Sequence, residues 1–391
     1  MPAALAGVVA GAVLTLSVRS AGEPSASPSP GTASIASVPA APTTYLAWVP
    51  RGLPTGFGDV LARLPELRRA TVVAEDIVWL RASWSAAGER VDDPPPGFRI
   101  PIDAAAVDPR AFAAFLPSID RPAIAAVAEG NAVLSETAAE LRGLGPGAIL
   151  ELGDGLRVRV AAVLPDQLVG AAELLVGREL GRAIGVRHER YALVQPADPA
   201  ASATLVKGLL RPLLPASLGV NRKIQVRAPG DTPYFRAGDA VLPIAEVKAF
   251  FGEFAARPRP GSPGELIVDP AWFHANIDRV RLPAVGPVTC HRAIVPQLRA
   301  AMRELADRGL GHLVRSYHGC FVPRFIARDP ANLLSYHSWG VAFDLNLSGN
   351  LRGQAPHQPP ALVEVLEREG FTWGGRWIVP DGSHFEFHRM P

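Results

Sequence analysis

Residues 335–347 read SYHSWGVAFDLNL, and this stretch decides how the C-terminal part of the chain folds. From residue 341 onward, apolar side chains alternate with small or polar ones. The apolar set is Val341, Phe343, Leu345 and Leu347, and the alternate set is Ala342, Asp344 and Asn346. A period of two predicts a β-strand with one polar face. A carboxylate in the middle of such a strand is costly to bury unless it is paired or binds a metal, so Asp344 requires a cation nearby.

The last residues of the chain repeat this pattern. Residues 381–388 read DGSHFEFH, in which His384, Glu386 and His388 alternate with two phenylalanines. They predict a second strand with one polar face, and the Asp-Gly pair that begins at Asp381 predicts a turn before it.

Two histidines and one carboxylate are the donors of a catalytic zinc site, because they leave the fourth tetrahedral position open for water. His337 lies seven residues before Asp344, across a Ser-Trp-Gly turn that can bring its imidazole to the same face as that of His384. The carboxylate of Asp381 can lie beside such a metal and accept the proton of an attacking water as general base. The residues alone leave an alternative open, in which Asp344 pairs with an arginine such as Arg324 and His384 is solvated on an edge strand.

These segments share one longer pattern: Ser-x-His-x-x-Gly-x-Ala-x-Asp, then Trp-Gly-Gly-x-Trp, then Asp-x-x-His-Phe-Glu. The pattern resembles the zinc peptidases that cleave peptidoglycan stem peptides, a family of D-alanyl-D-alanine carboxypeptidases and dipeptidases and phage L-alanyl-D-glutamate endopeptidases. The resemblance covers residues 267–389, about a third of the chain. The matching positions are Ser335, His337, Gly340, Ala342, Asp344, Trp373, Gly374, Gly375, Trp377, Asp381, His384, Phe385 and Glu386.

This resemblance implies a role for each site residue. It implies that His337, Asp344 and His384 bind Zn²⁺ and that Asp381 is the general base, within a mixed α+β fold that contains a small antiparallel sheet. The CFVPR segment that ends at Arg324 looks like the family segment whose arginine contacts the substrate. A guanidinium suits a substrate carboxylate or the oxyanion of a tetrahedral intermediate, and the alternative is an ordinary surface arginine.

Other positions near the pattern are less specific. Glu386 is expected to orient a metal ligand, while Trp373 and Trp377 either wall the cleft or pack in the core. Two positions depart from many relatives, which carry Glu where Asp381 stands and a larger residue where Ser383 stands.

The chain has 391 residues, 48% of them hydrophobic, which is enough for two domains with separate cores. We expect an α+β N-terminal domain over residues 45–255 and the zinc peptidase domain over residues 264–391, divided by a Pro- and Gly-rich segment at 255–263. Residues 1–19 are expected to be an export signal or membrane anchor, with a buried helix as the alternative, and residues 20–44 a flexible linker.

Local patterns also predict individual elements. Helices are predicted over residues 131–141, 244–254, 294–308 and 361–369, and a β-hairpin over residues 148–163. The phrases GNAVLSETAAEL at residues 130–141 and GDGLRVRVAAVLPD at 153–166 resemble the extracytoplasmic core domain of macrolide-exporter-type ABC permeases. That resemblance implies a binding or spacing module.

Charge and cysteine content narrow the function classes. The net charge is only +2, so no strong field exists to hold nucleic acid, and no nucleic-acid partner is expected. The two cysteines, Cys290 and Cys320, are too few for a thiolate zinc site, and they form either one disulfide or two buried thiols.

We therefore expect a zinc-dependent peptidase of peptidoglycan stem peptides, located in the cell envelope and either secreted or anchored to the membrane through its N-terminus. The alternative is a non-catalytic protein on the same fold that binds the cell wall or a transporter. The sequence does not distinguish a carboxypeptidase from an endopeptidase, and it leaves the oligomeric state open.

Overall fold

The computed structural model describes residues 43–170, 172–231, 237–239 and 242–388. The predicted signal or anchor at residues 1–19 lies outside this part of the chain, as does the predicted linker at 20–44 apart from its last two positions. Within the described ranges, no helix is both long and apolar enough to cross a bilayer.

Strands and helices alternate along the described residues, which confirms the α+β prediction. The strands are β1 (Tyr45–Trp48), β2 (Leu67–Trp84), β3 (Ile100–Val107), β4 (Ala132–Ser135), β5 (Ile149–Leu152), β6 (Leu156–Leu164), β7 (Leu174–Gly177), β8 (Glu189–Pro196), β9 (Gln225–Arg227), β10 (Ala256–Arg259), β11 (Ser262–Val268), β12 (Ile277–Leu282), β13 (Gly286–His291), β14 (Ala342–Asp344), β15 (Phe371–Trp373) and β16 (His384–Phe387). The helices are α1 (Phe57–Leu61), α2 (Pro109–Ala113), α3 (Arg121–Ala128), α4 (Glu136–Arg142), α5 (Arg178–Ile184), α6 (Ala203–Leu210), α7 (Ile244–Phe251), α8 (Pro270–Asn276), α9 (Val295–Asp307) and α10 (Pro360–Arg368).

One nine-stranded sheet organises the N-terminal region, in the order β3-β7-β4-β6-β5-β2-β8-β1-β9. Strand β2 is 18 residues long and also pairs with β3, so six of the strands form a closed ring. Register shifts in β2 at Leu80/Ala82 and Val73/Ala74 mark bulges, which bend a strand and let one strand serve several partners. The predicted hairpin at residues 148–163 is confirmed as the antiparallel pair β5–β6.

The C-terminal region contains the predicted small antiparallel sheet, in the order β14-β16-β15, together with the hairpins β10–β11 and β12–β13. Helix α9 confirms the predicted amphipathic helix, because its buried face carries the four residues of the predicted stripe. These are Leu298, Ala301, Met302 and Leu305. Helix α10 is also amphipathic and packs against α9 and β15.

The predicted helix at residues 131–141 is wrong in its first half. Residues 132–135 form strand β4, which lies between β6 and β7 with all four residues buried. Helix α4 begins only after Ser135, whose hydroxyl accepts a hydrogen bond from the backbone N–H of Ala138 at 3.3 Å and so caps the helix. Burial between two strands outweighs the helix propensity of the alanine-rich sequence here.

The predicted strand at residues 341–347 is shorter than expected. Strand β14 ends at Asp344, and Asn346 has φ +52°, a left-handed conformation that interrupts an extended strand. Asparagine tolerates this conformation because its short amide can hydrogen-bond to nearby backbone groups.

The two cysteines form a disulfide, with their Cα atoms 5.3 Å apart. Cys290 lies in β13 and Cys320 in the loop that leads to Arg324. The bond therefore ties the β12–β13 hairpin to the segment carrying a predicted site residue.

A short segment after α7 joins the N-terminal sheet to the C-terminal core. The carbonyl oxygen of Gly252 accepts a hydrogen bond from the indole Nε1 of Trp339 at 3.1 Å, and the ring of Phe254 lies 4.8 Å from that indole. Burial lowers the pKa of His291 to about 4, so its imidazole is neutral, and its Nε2 lies 3.1 Å from the carbonyl oxygen of Phe251. This segment lies just before the predicted boundary at 255–263, and the division into two domains there stays a prediction.

Four charged side chains, three of them buried and the fourth, Glu253, 13% exposed, fix the same segment to the N-terminal sheet. The Nζ of Lys248 on α7 is fully buried and lies 2.8 Å from carboxylate oxygens of both Glu173 and Glu253. Arg142 at the end of α4 pairs with the same two carboxylates. Because each cation contacts both anions, removing one member leaves an uncompensated buried charge.

Replacing Lys248 with methionine should therefore lower the free energy of unfolding by about 3–5 kcal/mol, since it leaves the buried Glu173 and the partly buried Glu253 with one cation. Chemical denaturation of the full chain, followed by circular dichroism, measures this change. The matched control is Lys207→Met on the exposed face of α6, expected to change stability by less than about 0.5 kcal/mol. Equal stability of the two variants would contradict the expected role of the cluster.

Candidate metal centre

Three different elements carry the predicted metal ligands, and the structure brings them together. His337 lies in a short 3₁₀ turn (Tyr336–Ser338), Asp344 ends β14 and His384 begins β16. Asp344 and His384 are direct partners in the antiparallel register. One nitrogen or oxygen donor from each of the three residues lies within 4.8 Å of the others, a spacing that a single metal ion can bridge.

The imidazole of His337 is held with one nitrogen free for a ligand role. Its Nδ1 lies 3.1 Å from the carbonyl oxygen of Cys320, and because a carbonyl only accepts, Nδ1 carries the proton. The other nitrogen, Nε2, is buried and makes no hydrogen bond with the described residues, although Asp344 Oδ2 lies 3.4 Å away. Burial lowers the pKa of His337, which favours the neutral ring that a metal requires. An unsatisfied lone pair of this kind fits a metal ion.

His384 contacts a carboxylate through each of its ring nitrogens. Its Nδ1 lies 3.2 Å from Asp344 Oδ1, and its Nε2 lies 3.3 Å from Glu386 Oε2 on the same strand. The ring of Trp377 lies 5.1 Å from the imidazole. A carboxylate on the far nitrogen orients the ring of a metal ligand and raises its basicity, so Glu386 occupies the position expected for it.

Asp344 lies between the two imidazoles, with 17% of its side chain exposed. Burial acts to raise its pKa, but the two imidazoles beside it, those of His337 and His384, outweigh burial and hold the pKa well below its usual range. The alternative in which Asp344 pairs with Arg324 is not what the structure shows. The contacts of this carboxylate are the two histidines, as a three-residue metal site requires.

The turn before β16 places Asp381 next to the cluster. Its carbonyl oxygen accepts a hydrogen bond from the backbone N–H of His384 at 3.1 Å, and its Oδ1 lies 3.3 Å from the hydroxyl of Ser383. The guanidinium of Arg352 lies 3.8 Å from its other carboxylate oxygen. Ser383, which departs from the family pattern, thus supplies a donor that orients the predicted base.

Steric contacts explain why positions 374 and 375, after Trp373, are both glycine. A Cβ at Gly374 would lie 2.9 Å from the carbonyl oxygen of Asp381 and 3.3 Å from the Cβ of His384. A Cβ at Gly375 would overlap the indole of Trp373, whose Nε1 donates to the carbonyl of Gly382 at 2.8 Å. The two glycines let the chain approach the base and the last ligand closely.

Arg324 lies on the edge of the same site. Its backbone is tied to the ligand turn, because the hydroxyl of Ser338 accepts from its N–H and donates to its carbonyl, both at 3.0 Å. Its guanidinium makes no ion pair or hydrogen bond with any residue that the structure describes. Burial lowers its pKa, and the charges of Asp344 and Asp381 act in the opposite direction. Arg324 is therefore a cation close to both carboxylates and available to another anion.

A buried amide network, which the sequence did not predict, holds the chain after Asp344. The Oδ1 of Asn346 accepts from the backbone N–H groups of residues 315 and 316, and its Nδ2 donates to Gln358 Oε1 at 2.9 Å. Gln358 Nε2 donates to the carbonyl of Leu345, and Asn350 Nδ2 to that of Asn346. The carbonyl of Asn350 in turn accepts from the N–H of Ser383 at 3.1 Å. The network thus links the segment after one ligand to the residue before another.

Asp239, which the sequence did not place in the site, contacts the backbone next to Trp377. Oδ1 of Asp239 lies 3.4 Å from the backbone N–H of Ile378, the residue after Trp377. Burial raises the pKa of Asp239. No motif surrounds this residue, so no sequence signal indicated its position.

Comparison with known proteins supports the C-terminal resemblance. Residues 328–387 match the model of a family described as D-alanyl-D-alanine carboxypeptidase. The matched segment contains His337, Asp344, Asp381 and His384, whereas Arg324 precedes it. No curated protein matches the chain.

Solved structures that are similar to part of the chain include the following three. The periplasmic region of MacB from Actinobacillus actinomycetemcomitans is 15% identical, with a TM-score of 0.33, over 47% of this chain and 88% of that one. The extracellular domain of the noncanonic ABC-type transporter YknZ from Gram-positive bacteria is 16% identical, with a TM-score of 0.31, over 47% and 99%. A domain of a putative permease protein from Porphyromonas gingivalis is 12% identical, with a TM-score of 0.28, over 53% and 95%. At such scores these similarities assign this chain no function.

The cluster should bind one divalent metal ion per chain. We expect His337→Gln and His384→Gln each to reduce bound metal after dialysis to less than about a tenth of an equivalent, because loss of one of three protein ligands removes most of the affinity. Elemental analysis by mass spectrometry measures the content. His312→Gln, at an exposed histidine outside the cluster, is the control and should retain the metal. Full retention by both ligand variants would exclude this site.

The affinity for the metal should rise with pH. Burial acts to lower the pKa of His384, but the hydrogen bonds and charges of Asp344 and Glu386 outweigh burial and raise the pKa to about 10 in the metal-free protein. A metal must displace this proton, so below that pKa binding releases a proton and becomes weaker as pH falls. We expect a rise of about tenfold per pH unit between about pH 7 and pH 9, measured by chelator competition. A pH-independent affinity would show that His384 is not protonated in the metal-free site.

Proposed function

We propose that this chain is a zinc-dependent peptidase that hydrolyses peptidoglycan stem peptides. The observation that carries the proposal is the buried His337–Asp344–His384 cluster with Asp381 in the adjoining turn. The match of residues 328–387 to a carboxypeptidase family supports the same reaction class, because it contains all four residues.

Zinc is the metal that best suits these donors. Two imidazole nitrogens and one carboxylate oxygen form a borderline-soft set, whereas calcium and magnesium prefer sites made of oxygen alone. Three protein ligands also leave one coordination position open, as catalytic zinc sites require. When bound, zinc supplies Lewis-acid activation of water and of a substrate carbonyl.

The protein's own groups then handle the protons. Asp381 accepts a proton from the attacking water and delivers it to the amine that leaves when the peptide bond breaks, which returns the carboxylate to its starting state. Ser383 and the backbone around Gly374 hold Asp381 in the turn. Glu386, behind the ring of His384, keeps that imidazole oriented throughout.

Arg324 is the group proposed to bind the substrate. Its guanidinium has no partner among the described residues, and its backbone is fixed to the turn that carries His337 through Ser338. A half-buried guanidinium near the metal ligands can bind a stem-peptide carboxylate or the oxyanion that forms during attack. Either role requires the fork of an arginine, which a lysine cannot reproduce.

We also propose an extracytoplasmic location, with residues 1–19 as the export signal or membrane anchor. The disulfide between Cys290 and Cys320 supports this location, since such bonds persist in oxidising compartments. Peptidoglycan lies in the same compartment.

The alternative of a non-catalytic protein on the same fold is less well supported. Such a protein would not require both an ordered base and an unsatisfied ligand nitrogen, and none of the predicted zinc ligands is missing.

Replacing Asp381 with asparagine should abolish hydrolysis while leaving the metal bound. We expect the turnover rate on purified peptidoglycan to fall by about 10²–10⁴-fold, the usual contribution of a positioned general base. Mass spectrometry of the released fragments measures the rate and identifies the bond that is cleaved. Asp278→Asn, at a partly exposed aspartate in β12, is the control. Undiminished turnover by Asp381→Asn, or wild-type protein that binds zinc and releases no fragment, would contradict the proposal.

Replacing Arg324 with lysine should reduce kcat/KM by about 10²-fold, because lysine keeps the charge and loses the bidentate geometry. Steady-state kinetics on a soluble stem peptide measures the effect. Arg328→Lys is the matched control, since Arg328 lies four residues away and pairs with Glu265 at the surface. Equal kinetics for the two variants would leave Arg324 without a role in binding substrate.

A further inference from the structure

A cleft of about 380 Å³ lies between the N-terminal sheet and the β10–β11 hairpin. One wall is formed by Trp79 and Arg81 of β2, and the floor by the proline-rich segment that ends at Phe98 and Arg99. The other wall is the start of β10, including Arg257. Clefts between packed units of this size are where proteins commonly bind ligands.

The charge of this cleft is entirely positive. Its lining contains three arginines and no acidic residue. Arg81 pairs with Glu151 at 3.4 Å, while the guanidinium groups of Arg99 and Arg257 form no ion pair with any residue in the described ranges. The guanidinium of Arg257 lies over the ring of Phe98, 5.4 Å from its centre. Two cations therefore line the cleft without a charge partner, beside aromatic surface.

The walls of the cleft are fixed to each other. Arg99 and Ala256 exchange two backbone hydrogen bonds, of 2.9 and 2.8 Å, which join the N-terminal segment to the first residue of β10. A preformed binding site needs walls of this kind, because less ordering is then required when a ligand binds.

A ladder of strands connects one side of the cleft to the segment that carries Arg324. Pro258 in β10 pairs with Leu266 in β11, and the N–H of Leu266 donates to the carbonyl of Pro323 at 2.9 Å. Arg324 follows, and its backbone forms an antiparallel β-bridge with that of Glu265. Two strand spacings thus separate the backbone of the cleft wall from that of Arg324, a distance of about 10 Å.

We propose that this cleft binds a carboxylate-bearing segment of the peptidoglycan polymer beyond the scissile bond. The guanidinium groups of Arg99 and Arg257 pair with carboxylates, and Trp79 and Phe98 offer flat apolar faces to the rest of the chain. The identity of the polymer rests on the proposed function, whereas the binding itself needs no metal. The cleft holds the polymer, and the metal centre cleaves it.

The test measures binding of full-length protein to purified sacculi from which phosphate polymers have been stripped by hydrofluoric acid. All proteins carry Asp381→Asn so that the sacculi stay intact. The double variant Arg99→Gln/Arg257→Gln is compared with Arg281→Gln, an exposed arginine in β12. Co-sedimentation should show about tenfold weaker binding for the double variant and no change for the control. In proteins with Asp381 restored, hydrolysis of a short soluble stem peptide should be equal.

Each contrary outcome has one meaning. The proposed role of the cleft is overturned if the double variant binds sacculi as strongly as the protein that retains both arginines. It is also overturned if binding appears only with untreated, phosphate-bearing sacculi. Equal loss of binding in the control overturns it as well. If wild-type protein cleaves no stem peptide while the double variant still loses sacculus binding, the proposed peptidase function fails and the anion-binding cleft stands.

Discussion

The carboxylate of Asp344 lies between two imidazoles, and one antiparallel register puts it there. Asp344 in β14 pairs directly with His384 in β16, and one step along the same ladder the rings of Phe343 and Phe385 stack at 5.7 Å. Side chains directly opposite each other across a sheet share a face, so a slip of one residue would turn the carboxylate away from the imidazole. Contacts from other segments hold the backbone on either side of this pair.

Support for the register comes from both regions of the chain. On one side, the amide network of Asn346, Asn350 and Gln358 fixes the backbone after Asp344 and joins it to Ser383. On the other side, the turn carrying His337 rests through Trp339 on the carbonyl of Gly252. That segment is fixed to the N-terminal sheet by the cluster of four charges around Lys248. The candidate metal site is therefore stabilised by residues about 200 positions away in sequence.

The sequence pointed to His337, Asp344 and His384 as candidate ligands because their chemistry is unusual for their positions, and the structure brings the three together. Asp344 on a strand and His384 beside Glu386 are costly unless they serve a site, and period-two alternation located both strands. The sequence could not predict that the first strand stops at Asp344, because the left-handed Asn346 depends on acceptors and donors that come from residues 313–358. Strand β4 was missed for a similar reason, since burial between β6 and β7 decides its conformation.

The sequence also did not predict the residues that support the site, because each acts through a single contact that leaves no motif. Ser383 acts through one hydroxyl and Asp239 through one carboxylate, and neither role imposes a periodic pattern on its neighbours. Arg99 and Arg257 are 158 positions apart and line one cleft because the backbone of Arg99 pairs with that of Ala256. Contacts of this kind are set by the tertiary fold alone.

We expect His337, Asp344 and His384 to hold one zinc ion, which anomalous diffraction at the zinc edge from crystals of the full chain can locate. A single strong peak should lie at about 2.0–2.2 Å from His337 Nε2, His384 Nδ1 and a carboxylate oxygen of Asp344. A peak between His384 Nε2 and Glu386, or no peak at the cluster in zinc-soaked crystals, would contradict it.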